Sequence, residues 1–142
     1  MNKTTVYLSG AISNVSAMFQ DWRNKCLEWS DNGLYTCLTF NDPNIYFNYT
    51  DKLPKTNKQC LDLFMWMIEQ SDVLLVNLES SEFSCGTCME IEHAYCRNIP
   101  IIAFGEYPGT WYSWAQERAS IIFKTLEDAV EYINSSYGRV GN

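Results

Sequence analysis

Ser71-Asp72-Val73-Leu74-Leu75-Val76-Asn77-Leu78 is followed by a short polar segment, then by Ser84-Cys85-Gly86-Thr87-Cys88-Met89-Glu90-Ile91-Glu92-His93-Ala94, and then by Ile99-Pro100-Ile101-Ile102-Ala103-Phe104. The pattern is strand, loop, helix, strand. Val73–Leu78 is apolar almost throughout, which marks a strand covered on both faces and hence a parallel sheet. An acid, Asp72, opens this strand, and a second, Glu90, lies near the start of the helix.

Working outward, Thr4–Ser9 is rich in β-branched and aromatic residues and reads as a first strand ending at Gly10. Ser13 or Asn14 can cap a helix over roughly 16–31, with Phe19, Trp22, Cys26 and Trp29 at helical spacing and Asn32-Gly33 as its stop. Leu34–Phe40 reads as the second strand. Residues 41–56 are polar, aromatic and proline-punctuated, either a cover over a site or a surface loop pinned by Tyr46, Phe47 and Tyr49. A second helix runs from Thr56 or Asn57 to Gln70, a third over 87–97, and Ile99–Phe104 is the fourth strand. Ser120–Phe123 is a fifth strand, and Thr125 caps a last helix with Asp128 in its first turn. Strands alternating with helices define an α/β layered fold with a mostly parallel five-stranded sheet flanked by helices. Residues 1–134 form one domain, and 135–142 is a small polar tail expected to fray.

The chain has 142 residues and a formal net charge of -7, which argues against a general binder of nucleic-acid backbones. No window approaches the roughly 18 apolar residues of a membrane helix. The first residues lack the basic and long apolar segments of a signal peptide, so a cytoplasmic location is expected. The six cysteines are then expected to be reduced.

In such sheets ligands bind beyond the carboxyl ends of the strands. Gly10, Ser84–Glu90 and Gly105–Thr110 all follow strands and are expected along one edge. Thr87-Cys88-Met89-Glu90 matches a capping box, in which the glutamate only accepts a backbone N–H. The same carboxylate, kept ionised near a helix N-terminus, could instead trap an electrophilic sugar carbon as an ester. Asp72 is either a connector or a second acid that manages the proton on a leaving group. Cys85-Gly86-Thr87-Cys88 leaves a redox reading open, and a zinc reading would add His93 but lacks a second pair of cysteines.

Tyr7-Leu8-Ser9-Gly10, Asp72-Val73-Leu74-Leu75-Val76, the Ser84-x-Gly86-Thr87-x-x-Glu90 turn, Ala94 and Pro100-Ile101-Ile102-Ala103-Phe104, in this order and spacing, resemble the nucleoside 2-deoxyribosyltransferase family over about residues 4–123. The resemblance implies a flavodoxin-like, Rossmann-like fold with no metal and no cofactor. It implies Glu90 as a nucleophile that takes up deoxyribose from a nucleoside, Asp72 as the pocket acid, and Tyr7 as the group that orients the glutamate. Gly10, Ser84 and Gly86 would meet the substrate, Ser84 at the 5′ end of the sugar. A serine there, where base-exchanging members carry an aspartate, leaves room for a 5′-phosphate, as in related 5′-monophosphate hydrolases. The phosphate-binding serine and arginine of those hydrolases are matched here by Ala11 and Ser13, and Glu92 and His93 also depart from the pattern. The resemblance further implies a homodimer or larger assembly, with Thr110 or Ser113 reaching a neighbouring subunit's pocket. The partners would be a small nucleoside or nucleotide and a free nucleobase, with neither nucleic-acid polymer nor membrane. Hydrolysis, base exchange and non-catalytic nucleotide binding all remain open on these residues.

Overall fold

The computed structural model describes residues 3–10, 21–43, 56–79, 85–106 and 110–139, with side chains omitted at 57, 85 and 110–112. In chain order the elements are β1 (Thr4–Ser9), α1 (Asp21–Asp31), β2 (Leu38–Asn41), α2 (Asn57–Glu69), β3 (Val73–Asn77), α3 (Cys85–Cys96), β4 (Ile101–Phe104), α4 (Thr110–Arg118), β5 (Ile121–Phe123) and α5 (Leu126–Tyr137). The five strands form one sheet in the order β2-β1-β3-β4-β5, and every pairing is parallel.

The two-residue periodicity of the strands sorts their side chains into two cores. Val6, Leu8, Val73, Leu75, Ile102 and Phe104 face α1 and α5, where they meet Trp22, Cys26, Val130 and Ile133. Tyr7, Leu74, Val76, Ile101 and Ala103 face α2 and α3, where they meet Phe64, Met67, Ile68, Ile91 and Ala94. β3 is buried at every position, as its unbroken apolar run requires. The result is a three-layer sandwich whose central sheet is shielded from water on both sides.

Local signals set several boundaries. Thr56 caps α2 in a complete capping box with Gln59, and Thr125 caps α5 by accepting from the Asp128 N–H. Three boundaries differ from expectation. β2 begins at Leu38, because 34–37 is taken up by a turn in which the Leu34 N–H bonds the Trp29 carbonyl. α3 begins at Cys85, so Thr87 lies inside the helix. α5 continues past residue 134 to Tyr137, and Arg139 beyond it pairs with Asp72 at 2.9 Å. The described part of the expected tail is thus anchored; residues 140–142 lie outside the described residues, as do 44–55, most of the expected loop.

The carboxyl edge of the sheet is closed tightly at Gly105, which follows β4 with φ of +91°. A Cβ there would stand 2.2 Å from the Glu79 side chain and 3.1 Å from the Glu79 backbone nitrogen. Gly105→Ala should therefore cost about 1–3 kcal/mol, from the left-handed backbone conformation together with the clash. Chemical denaturation should show a lower midpoint at unchanged slope.

Candidate active site

The strand order 2-1-3-4-5 reverses direction between β1 and β3, and the crevice beyond the carboxyl ends of these two strands is where such sheets bind ligands. Ser9 and Gly10 stand at the end of β1 there, and Asn77 ends β3. Gly10 is fitted to its place: a Cβ would lie 3.1 Å from the Trp22 ring and 3.4 Å from the Asn77 Cβ.

α3 brings Glu90 to this edge. Its side chain is buried, with 7% of the residue exposed. The Tyr7 hydroxyl donates to Glu90 Oε2, and the Ser9 hydroxyl donates to Oε1 at 2.8 Å. Both donors project from alternate positions of β1 onto the face that α3 covers, so the strand's own repeat aims them at one carboxyl group. The capping-box reading of Glu90 fails here, since Thr87 is not the cap and both carboxyl oxygens are turned to β1. Glu90 sits in the second turn of α3, so these hydroxyls hold it where the helix dipole has largely faded.

Burial pushes the Glu90 carboxyl above the ordinary carboxylate range, against the opposing pull of the Tyr7 and Ser9 hydrogen bonds and the positive charge of Arg23. Burial, then the neighbouring Glu90, raises Tyr7 far out of reach of neutral pH, so its hydroxyl remains a donor. Behind β1, Arg23 is 1% exposed and pairs with Asp42 at 3.0 Å. Its Nη1 donates to the Leu8 carbonyl at 3.3 Å, and its Nη2 donates to the Gly10 carbonyl at 2.9 Å.

Asp72 is not part of this constellation, which corrects the sequence reading. It precedes β3 and is level with Thr5 in the sheet register. Ser9 lies four residues further along, about 13 Å at a rise near 3.3 Å per residue. Asp72 Oδ2 accepts the Thr5 N–H at 2.8 Å and Oδ1 pairs with Arg139, so it ties the amino edge together. Glu92 is exposed and bonded to Arg118, and His93 lies against Arg97 and Glu69, so both point away from Glu90. Gly86 lies in the first turn of α3, and Ser113 is exposed on α4, which Thr110 opens. Ser84, Ala11, Ser13, Tyr46 and Phe47 lie outside the described residues. Among the described cysteines, Cys26, Cys37, Cys60 and Cys96 are free thiols.

A 2-deoxyribosyltransferase from the psychrotolerant bacterium Bacillus psychrosaccharolyticus superposes on 88% of this chain and 89% of its own, at 14% identity and a TM-score of 0.65. The chain has a 2-deoxyribosyltransferase fold. A conserved protein from Enterococcus faecalis V583 shares this fold, with 94% of this chain and 98% of that one covered at 17% identity and a TM-score of 0.69. No family model and no curated protein matches the sequence. No helix among the described residues is long and apolar enough to cross a membrane.

Sequence reasoning named Tyr7 and Glu90, which the fold brings together, but gave Ser9, Arg23 and Asp42 no role in the site. Ser9 carried a signal: it is two positions from Tyr7 on a strand, and hence on the same face.

The weakened acidity of Glu90 has a measurable sign. Between its unfolded value, near 4.3, and its higher folded value, the native chain holds a proton that the unfolded chain has lost. Stability contributed by this group therefore falls as pH rises through that window. Glu90→Gln cannot ionise, so its melting temperature minus that of the wild type should grow as pH is raised from about 4 to 8. A gap that does not change with pH would show that Glu90 is not perturbed.

Proposed function

We propose that this chain cleaves the N-glycosidic bond of 2′-deoxynucleosides or their 5′-monophosphates, with Glu90 as the nucleophile. The observation that carries this reading is the Glu90 carboxyl group, buried at the carboxyl edge beside the β1/β3 crevice and gripped by Tyr7 and Ser9. Two hydrogen bonds occupy half of the roughly four lone-pair sites of a carboxylate, so a lone pair stays available for attack. The likeness in fold to a deoxyribosyltransferase supports the same reading.

In the first half-reaction a Glu90 oxygen bonds to C1′ as the C1′–N bond breaks. The electron pair leaves with the base, which takes a proton from water. In the second half, a nitrogen of another base, or water, attacks C1′ and frees the carboxylate, and the acceptor gives its surplus proton to solvent. Base exchange and hydrolysis differ only in this acceptor. Tyr7 and Ser9 keep the carboxylate aimed, and the excluded water makes its negative charge more effective. Ser84 is the residue we assign to the 5′ end of the sugar, and Gly10 and Gly86 to close backbone approach. A homo-oligomer in which Thr110 or Ser113 reaches a neighbour's pocket belongs to the same proposal, as does action without a cofactor.

The deciding experiment incubates a deoxynucleoside and its 5′-monophosphate separately, with and without a second free base, and separates the products by chromatography. Base exchange that needs the acceptor indicates transfer, and free sugar or sugar phosphate indicates hydrolysis. Ligand recovered intact after long incubation would leave a binding module. Glu90→Ala should lower turnover by roughly 10³-fold or more, the scale on which a lost nucleophile is felt, and abolish the sugar adduct seen by mass spectrometry. Asp72→Asn, at the opposite edge, should keep turnover within about twofold while lowering stability by about 1 kcal/mol. The rate should rise with pH as Glu90 loses its proton, with a midpoint above the ordinary glutamate value near 4.3.

A further inference from the structure

β1 outruns β2, and the way its end is finished bears on Glu90. The last paired residues are Tyr7 and Asn41. The Thr4 N–H bonds the Cys37 carbonyl on the β2 side, whereas the Thr5 carbonyl accepts from Asp72 on the β3 side. Alternation then turns the Leu8 and Gly10 carbonyls toward β2. Continued by one step, the register would set Leu8 opposite Asp42 and require an N–H from residue 43. That residue is Pro43, which has none. The two planar nitrogens of Arg23 take the missing donor's place, one on each carbonyl. These carbonyls flank Ser9, whose hydroxyl meets Glu90. Asp42, the residue before the proline, accepts from Nη1, the nitrogen that also meets the Leu8 carbonyl.

We propose that the buried Arg23–Asp42 pair is a positioning device for Glu90: it fixes the backbone on both sides of Ser9 and supplies a positive charge behind the carboxylate, with Asp42 setting how much of that charge is felt. Among the described residues, the charged and titratable groups facing this surrounding are Tyr7 from β1, Arg23 and Cys26 from α1 and Asp42 after β2. Arg23 pulls the Glu90 carboxyl down against its burial, and Asp42 pulls Arg23 toward its charged form. Arg23 itself is 1% exposed behind the strand and is assigned a positioning role. The catalytic part of this inference rests on the glycosidic reading above, but the link between Arg23 and Glu90 does not.

The test therefore reads Glu90 itself. In full-length, isotope-labelled protein, carbon-detected NMR follows the Glu90 carboxyl through a pH titration without any substrate. Arg23→Met should move its midpoint up and Asp42→Asn should move it down. Arg23→Lys keeps the charge but not the two-pronged grip, and should restore most of the midpoint without restoring the Ser9 backbone shifts. In the wild type, the Arg23 side-chain nitrogens should titrate with the Glu90 midpoint, a measurement that needs no variant to fold. Arg23 nitrogens blind to that titration, or a folded Arg23→Met with an unmoved midpoint, would overturn the inference. If turnover is found, Arg23→Met should lower kcat by roughly 10- to 100-fold, the cost of a small misplacement, and leave KM within about threefold. Equal losses through KM would also overturn it. If no substrate is turned over, the glycosidic reading fails and the midpoints still judge Arg23.

Discussion

A carboxyl group taken out of water must be met by donors or give up its charge. Glu90 is met by two hydroxyls from one strand and by a guanidinium behind that strand, and the rest of the architecture serves this arrangement. Tyr7 and Ser9 can converge because a strand repeats every second residue. They stay in place because β1 lies in the interior of the sheet, with β2 and β3 on either side. α3 delivers the acid from above the sheet because Ile91 and Ala94 pack its next turn onto Tyr7, Leu74 and Val76. Moving any one of these elements by a residue would leave a buried acid facing apolar side chains.

The buried Arg23–Asp42 pair has a different logic. A guanidinium and a carboxylate inside a protein gain little net stability, but removing one partner leaves the other uncompensated at about 3–5 kcal/mol. Arg23 repays its burial by satisfying two strand carbonyls as well as Asp42, and its plane lies over the Trp22 ring with 4.8 Å to the centroid. Trp22 in turn meets Phe104 edge-on and would stand 3.1 Å from a Cβ at Gly10. Chain entry into the crevice, strand ending and aromatic packing are thus settled by one group of neighbours.

Much of the architecture was legible in the sequence. The apolar run Val73–Leu78 pointed to a strand covered on both faces, and the strand–helix alternation around it to a mostly parallel five-stranded sheet. Thr56 and Thr125 announced their helices because capping is a local interaction. Boundaries set by tertiary contact were not legible: Leu34–Cys37 has the composition of a strand, but its backbone turns back onto Trp29. Asp72 was misread although the topology argued against it. It precedes its strand, and so falls on the amino edge, while ligands gather at the carboxyl edge. Arg23 stayed hidden because an arginine beside an apolar stripe looks like a solvated flank, and its partner is 19 positions away.

The amino edge carries its own consequence. Thr4 is joined to the Tyr137 carbonyl, and Asp72 clasps both Thr5 and Arg139. The first strand and the last helix therefore meet at a seam on the pole opposite the glutamate. For an engineer, this makes residues 3 and 139, which bracket the seam, natural points at which to splice a linker and reopen the chain elsewhere. Such a rewired molecule would keep its working pole untouched, and a surface support grafted at the seam would leave the crevice facing the solution.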